Sequence, residues 1–223
     1  HALEVLIFFE ILSNKAFKYL VWESSKKKFD AFKYSLIIIL EEVFGLYKNS
    51  NIRQSKLLNI NEINEIRFRK YITIIDKDIV IPPNYKFIIE AGSKLDIVNQ
   101  ANILSYSPIY FLGSIEKPIN ISSSDSTGQG ITVINASDVS IISHTNINGL
   151  RHPIKSGISQ MGSINFYQSD IIINHTIFEN NYSEDALNII RSNYEINNCQ
   201  FNNIFSDAFD GDYSNGKIIN STF

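Results

Sequence analysis

Cysteine, methionine and tryptophan each occur only once in this chain of 223 residues, and its charges nearly cancel, leaving a formal net charge of −3. A lone cysteine cannot form an internal disulfide bond, and a near-neutral chain has no general electrostatic attraction to nucleic acid or to an anionic membrane. A membrane-spanning helix needs about 18 consecutive apolar residues, whereas the best candidate run, Ser35 to Leu40, is followed by Glu41 and Glu42. The sequence therefore predicts no nucleic-acid partner and no membrane insertion.

What the chain does have is a repeat in its C-terminal part. Such a short period is typical of one coil of a stacked β-solenoid and is too short for a helical-hairpin repeat. Apolar residues alternate with Asn, Ser and Asp, as strands require. Cys199 falls at a predicted inward position that Ser221 takes one coil later, which favours a small buried thiol over a reactive one. The pairs separated by 22 positions are Asp185 and Asp207, Asn188 and Asp210, Ser192 and Ser214, Ile196 and Ile218, and Phe201 and Phe223.

The predicted organisation has three parts. Residues 1–50 are expected to be α-helical, and they either cover the open N-terminal end of the solenoid or belong to an upstream domain. Residues 51–71 are a connection, and residues 72–223 form the solenoid. Because Phe223 is the last ladder residue of a coil, we expect the solenoid to be truncated there and the chain to be part of a longer protein. The helical stripe consists of Phe29, Phe32, Leu36, Ile39, Val43 and Tyr47.

Three turn motifs between Asp78 and Ser123 carry a resemblance to a known family. They read Val-Ile-Pro-Pro, Ile-Ile-Glu-Ala-Gly-Ser and Gly-Ser-x-x-x-Pro-Ile-x-Ile-Ser-Ser. This run resembles the opening coils of bacterial right-handed parallel β-helix proteins of the pectin-lyase-like superfamily. The resemblance implies an all-β fold, a right-handed parallel β-helix with coils of about 22 residues, preceded by the α-helical segment.

A second resemblance concerns the coils after Thr127. Thr127-Gly128-Gln129-Gly130, Ile164-Asn165-Phe166-Tyr167 and the two acidic coil strands look like uncharacterised bacterial surface β-helix modules. This implies an extracellular or cell-surface location, although the start of the chain has no basic n-region typical of a signal peptide.

Stacking at the repeat period predicts an acidic cluster. Asp185 lies under Asp207, and Asn188 lies under Asp210, at the strand spacing of about 4.8 Å. Asp212 and Glu184 add further carboxylates. Carboxylates this close cannot all ionise freely, so at least one is expected to have a raised pKa, as a general acid needs.

The two acidic segments also resemble a catalytic signature. Glu184 to Asn188 and Ser206 to Asp210 are similar to the Asn/Ser-Asp-Gly/Ala-apolar-Asp pattern of polygalacturonase-like hydrolases and uronate epimerases. The resemblance implies that Asp207 and Asp210, with Asp185, act as acid and base on a glycosidic bond. The chain departs from that family because it has no adjacent Asp-Asp pair, no Gly-His-Gly and no Arg-x-Lys motif.

A lyase is the alternative within carbohydrate chemistry. In that hypothesis Ca²⁺ is held by Asp185, Asp207 and Asp212 against a uronate, and Arg191 removes a proton. The long loop from Asn148 to Gly162 is expected to project from the solenoid and to carry binding residues. The predicted substrate contacts are Asn188, Arg191, Asp212, Arg151 and His152, and a sugar-stacking platform is expected from Tyr167, Tyr182, Tyr194 and Tyr213.

A purely structural interpretation stays open beside these. Asn and Asp at coil corners stack as hydrogen-bonded ladders and tolerate left-handed turns, and His144 and His175 fit a coil ladder better than a metal pair. The first hypothesis is a module that acts on or binds an extracellular polysaccharide or cell-surface glycan, with uronic-acid polymers included, as a hydrolase, a lyase, an epimerase or a binding protein. The second is a non-catalytic structural or adhesive surface solenoid.

Overall fold

The computed structural model of the chain describes residues 50–154 and 161–223. Within them the secondary structure is entirely β, and no helix there is long and apolar enough to cross a membrane. The α-helices predicted before Ser50 lie outside the described residues. The strands are β1 (Leu58–Ile60), β2 (Glu65–Phe68), β3 (Ile72–Ile75), β4 (Ile79–Ile81), β5 (Lys86–Glu90), β6 (Lys94–Ile97), β7 (Ile103–Ser105), β8 (Ile109–Leu112), β9 (Ile119–Ser122), β10 (Ile131–Ile134), β11 (Ser140–Ser143), β12 (Thr145–Asn148), β13 (Gly162–Tyr167), β14 (Ile171–Asn174), β15 (Ile177–Glu179), β16 (Asp185–Ile190), β17 (Asn193–Asn197), β18 (Gln200–Asn202), β19 (Asp207–Asp212) and β20 (Asn215–Ile219).

These strands form three sheets that wind into a parallel β-solenoid of about six turns. Sheet 1 has the order β1-β2-β5-β8-β11-β14-β17-β20, sheet 2 the order β3-β6-β9-β12-β15-β18, and sheet 3 the order β4-β7-β10-β13-β16-β19. All neighbours run parallel except the antiparallel β1–β2 pair. The solenoid predicted from the repeat is therefore confirmed.

The length of a coil varies more than the repeat suggested. A turn takes about 23 residues on average, but paired residues are 22 positions apart between Asp185 and Asp207 and 33 apart between Ile131 and Ile164. Most of the difference lies in the segment between β12 and β13, because a loop outside the sheets need not keep the coil period.

Strands begin earlier than Ile72, where the sequence analysis placed the start of the solenoid. Strand β2 pairs in parallel with β5, with Ile66 opposite Phe87, and the Ile66 side chain is fully buried. The Asn61 side chain accepts hydrogen bonds from the backbone N–H groups of Ile63 and Glu65 and so closes the β1–β2 turn. Only one residue of β2 is fully buried, so its sequence shows too little apolar alternation to predict a strand.

The core is made of inward rows that run from coil to coil. Ile103, Ile131, Ile164 and Leu187 continue one another in sheet 3 and are all fully buried. In sheet 2 the row ends in a stack of three phenylalanine rings, whose centroids are 4.7 Å apart for Phe178 and Phe201 and 4.9 Å apart for Phe201 and Phe223. These rows place the intervening residues on the outer faces.

The corner between sheets 3 and 1 uses one backbone device in successive coils. Residues with left-handed φ near 50° occupy it: Asn135, Gln168, Arg191 and Tyr213. The following serines, Ser169, Ser192 and Ser214, each donate Oγ–H to the carbonyl two residues back and accept the backbone N–H of the preceding coil. The left-handed turn therefore aims each corner side chain away from the core.

The corner between sheets 1 and 2 repeats this device and settles two sequence predictions. His144 and His175 occupy it with rings 4.6 Å apart and within 3° of parallel, and Asn198 and Asn220 continue the column. The ladder prediction for the two histidines is confirmed. Cys199 follows as an inward residue, fully buried, with burial raising the pKa of its thiol, and Ser221 Oγ accepts its backbone N–H. The prediction that this thiol is buried is therefore confirmed.

Candidate functional site

The predicted acidic residues lie on the outer face of sheet 3. One outward row runs through Thr132, Asn165, Asn188 and Asp210 on β10, β13, β16 and β19. A second, shorter row runs through Gly162, Asp185 and Asp207. Inward residues between them, such as Leu187, anchor the strands in the core. The predicted stacking of Asp185 under Asp207 and of Asn188 under Asp210 is confirmed.

Asn188 joins the two rows. Its Nδ2 donates to Asp185 Oδ2 at 2.7 Å and to Asp210 Oδ2 at 3.3 Å, so these two carboxylate oxygens are at most 6.0 Å apart, the sum of both bonds. Only 4% of Asn188 is exposed, and its buried Oδ1 has no hydrogen-bond partner in the described part of the chain. Asp185, Asn188 and Asp210 thus form one hydrogen-bonded unit that leaves one acceptor without a donor.

Asp185 is the carboxylate that the fold perturbs. It is 3% exposed, and no described Lys or Arg is paired with it. Burial raises its pKa, the Asn188 hydrogen bond offsets part of that, and the charges of Asp210, Glu184 and Asp207 raise the pKa further. The direction agrees with the sequence prediction of a raised pKa, but burial, rather than crowding of the carboxylates, is its largest cause. Asp185 therefore has the electrostatics of a proton donor, but its burial keeps it from touching a polymer directly.

The accessible carboxylates belong to the last coil. Asp207 and Asp212 are exposed and Asp210 is half-buried. One coil earlier the position of Asp185 is taken by Gly162, where an added Cβ would lie 2.7 Å from Asn165 Oδ1 and 2.8 Å from Asn188 Cβ. The asparagines fill the space in that coil, so the carboxylates appear only from Asp185 onward.

Arg191 lies at the C-terminal end of the sheet 3 strands, in the left-handed corner that follows β16. Its guanidinium is 6.0 Å from the centroid of the Tyr167 ring and 5.9 Å from that of Tyr213, and Nη1 donates to Tyr167 Oη at 3.1 Å. Its backbone N–H donates to the carbonyl of Asp212. Tyr213 is 88% exposed, whereas Tyr194 packs on the core beside Phe209. Two of the four tyrosines predicted as a platform thus flank Arg191.

The loop residues Arg151 and His152 lie between β12 and β13, on the side of sheet 3 where its strands begin. Arg151 forms a parallel bridge with Tyr182, its guanidinium lies 5.2 Å from the Tyr182 ring centroid, and its Nε donates to the carbonyl of Ser126. His152 is half-buried. Arg151 and Tyr182 therefore form a second cation–aromatic pair at the opposite end of the sheet 3 strands.

The carboxylates predicted to hold Ca²⁺ do not come together. Asp207 and Asp212 are five residues apart on β19, roughly 17 Å along an extended strand. Among residues 50–154 and 161–223, no group of three or more His, Cys, Asp or Glu side chains is arranged to hold a metal ion. The residues present therefore do not fit the calcium site.

Two members of the site were missing from the sequence analysis. Thr132 and Asn165 precede Asn188 in its row, and Asn165 pairs with Asn188 at a spacing of 23 residues. Allowing the repeat one extra residue per coil would have aligned Asn165 with Asn188, as it does Ile173 with Ile196.

Fold and site together define a repeat protein, a parallel β-solenoid with an acidic, amide-lined outer face on its last coils. No protein-family model, no curated protein and no solved structure matches the chain.

Proposed function

We propose that the protein is a carbohydrate-binding β-solenoid whose glycan lies on the outer face of sheet 3 at its last coils. The observation that carries the proposal is Arg191 held between the rings of Tyr167 and Tyr213, where its backbone N–H is bonded to Asp212, a residue with an exposed side chain. Sugars are recognised by aromatic rings that cover their apolar faces and by charged groups that hydrogen-bond their hydroxyls.

The charge of this face favours a particular class of glycan. The last two coils of this face carry Glu184, Asp207, Asp210 and Asp212, whereas the cation between the Tyr167 and Tyr213 rings is Arg191. A polymer with a carboxylate on each sugar meets repulsion from these groups, whereas hydroxyls and protonated amines donate to them. The ligand is therefore a neutral or amine-bearing glycan rather than a uronic-acid polymer.

The test is affinity electrophoresis through gels that contain xylan, chitosan or polygalacturonate. Arg191→Gln and Tyr213→Asn are suitable variants, because Gln168 and Asn135 adopt left-handed φ values in the same corner. We expect retardation by xylan or chitosan, with affinity falling roughly tenfold in each variant. Lys94→Gln, which removes an exposed cation from sheet 2, is the matched control. Absence of retardation, or retardation that both variants preserve, would reject the proposal.

The enzymatic alternatives are tested with the same glycans. New reducing ends indicate a hydrolase, and the ultraviolet absorbance of an unsaturated uronate indicates a lyase. Asp210→Asn should abolish either product if the Asp185–Asn188–Asp210 unit does the chemistry. The burial of Asp185 favours binding over catalysis, since a general acid must reach the glycosidic oxygen.

A second candidate, a structural or adhesive surface solenoid, is favoured by the self-contained polar ladders. Asn120 and Asn146 bond to each other at 3.1 Å on sheet 2, and so do Asn174 and Asn197 on sheet 1. These amide groups form hydrogen bonds with the same residue type in the adjacent coil, as in a structural ladder. Both candidates fit a right-handed parallel β-helix of the pectin-lyase-like type at the cell surface or outside the cell, which we propose on the turn motifs between Asp78 and Ser123.

A further inference from the structure

The outer face of sheet 1 carries an apolar row that is flanked directly by one cation and one anion. Strand register aligns Ile88, Tyr110, Ile141 and Ile172, four outward residues on consecutive strands. The row continues into Arg67 on one side, and into Glu195 and then Lys217 on the other. The neighbours of these four residues along each strand are buried, and all except Ser140 belong to the hydrophobic core.

This row is an unusual outer face for the solenoid. The corresponding rows of sheets 2 and 3 are dominated by Asn, Ser and Asp. Tyr110, Ile141 and Ile172 are half-buried, Ile88 is buried, and Leu112 in the adjacent outward row is 45% exposed. At the strand spacing, the three half-buried residues make a stripe roughly 10 Å long. A flat apolar stripe with a polar rim is typical of a protein–protein contact.

The order of charges selects the partner. A twofold axis parallel to the strands turns the row end for end, so that a second copy brings its own row face to face in the opposite direction. With Tyr110 opposite Ile141 of the partner subunit, Ile88 meets the partner's Ile172, and Arg67 meets the partner's Glu195. The row is therefore complementary to itself in both packing and charge.

We infer that sheet 1 is the interface of a twofold homodimer. The end charges are already engaged within one copy: Arg67 lies 2.7 Å from Glu90 and 3.1 Å from Glu65, and Lys217 lies 3.1 Å from Glu195. Such exposed pairs are weak, so they exchange partners at little cost when the apolar row is covered. The site on sheet 3 stays open in this arrangement, and the inference does not depend on the proposed function.

Sedimentation equilibrium of the whole chain is the first test. We expect a mass of twice 25.4 kDa at tens of micromolar protein, and a monomer for Ile141→Glu, whose carboxylate would lie in the middle of the stripe. Ile177→Glu makes the same change on the outer face of sheet 2 and should remain dimeric. A monomeric parent chain, or a dimer that Ile141→Glu leaves intact, overturns the inference.

A charge exchange separates this interface from any other dimer. Arg67→Glu and Glu195→Arg should each raise the dissociation constant about tenfold, and the double variant should recover it. In one copy these residues are five strand spacings apart, roughly 24 Å, so recovery requires that they meet across the interface. Additive losses in the double variant would refute the twofold pairing.

Discussion

Asp185→Asn is expected to stabilise the protein, although it removes a member of the candidate site. The carboxyl group is 3% exposed, has no described cation beside it, and faces Asp210, Glu184 and Asp207. An asparagine has the same shape and keeps an oxygen to accept the hydrogen bond that Asn188 donates at 2.7 Å. The substitution therefore removes an unfavourable charge without opening a cavity.

The size of the effect follows from burial and depends on pH. Burying an ionised group costs several kcal/mol unless it is paired, and the Asn188 bond offsets part of that, so we expect a gain of about 1 kcal/mol in the free energy of unfolding. Because the pKa of Asp185 is raised in the folded state, its contribution to stability is complete below 3.8 and is lost as the pH rises through the raised pKa. The advantage of Asp185→Asn should therefore be near zero in acid and full at neutral pH.

Thermal unfolding of the two proteins across this range measures the effect. A gain of 1 kcal/mol corresponds to about 2–4 °C in Tm for a domain of this size. Asp207→Asn, one coil later in the same row but exposed, should shift Tm by less than about 1 °C. A lower Tm for Asp185→Asn at neutral pH, or a gain of equal size in acid, would refute the electrostatic argument.

Three further predictions concern other parts of the fold. Burial raises the pKa of Asp125, but hydrogen bonds from Asn99, Thr127 and Ser123 outweigh burial and lower that pKa to about 2. The stabilisation that Asp125 gives the folded state is therefore present above pH 3.8 and is lost as the pH falls from there toward 2. Asp125→Asn should lower Tm at neutral pH and make Tm depend less on pH in acid. Phe201→Ala removes the middle ring of the phenylalanine stack and should cost about 3–5 kcal/mol in urea unfolding, whereas a loss below 1 kcal/mol would contradict the packing. Cys199→Ser should cost less than about 1 kcal/mol, since Ser221 occupies the equivalent place, and the native thiol should react with a thiol reagent only on unfolding.

The repeat predicted from the sequence carried most of the architecture. Its 22-residue register aligned Asp185 with Asp207 and Ile196 with Ile218, and both pairs are adjacent in the sheets. It did so because each coil of this region has corners of fixed length, so chain position alone determines the neighbour. Where loops lengthen the coil, as between Ile131 and Ile164, that relation fails and the row through Thr132 and Asn165 escaped detection.

Burial and side-chain direction were beyond the sequence. The repeat placed Asp185 and Asp207 in one row and so predicted both as catalytic residues. In the structure Asp185 is buried and Asp207 is exposed. Their difference arises from their neighbours: Asp185 has a paired strand on each side, and Asp207 has a described paired strand on one side. The calcium hypothesis failed in a similar way, because Asp207 and Asp212 are near in sequence but an extended strand holds them apart.

Asn165 and Asn188 offer the sharpest comparison between a ladder residue and a site residue. They occupy the same position in adjacent coils. Asn165 is completely satisfied, because its Oδ1 accepts from the N–H of Gly162 and its Nδ2 donates to the Gly162 carbonyl and to Thr132 Oγ1. In the next coil the N–H of Asp185 donates instead to the carbonyl of Met161, and Asn188 Oδ1 has no described donor. A residue placed only for stacking would repeat the hydrogen bonds of Asn165. Asn188 instead bonds to Asp185 and Asp210. The regular asparagine ladder therefore ends at the coil in which the carboxylates first occur.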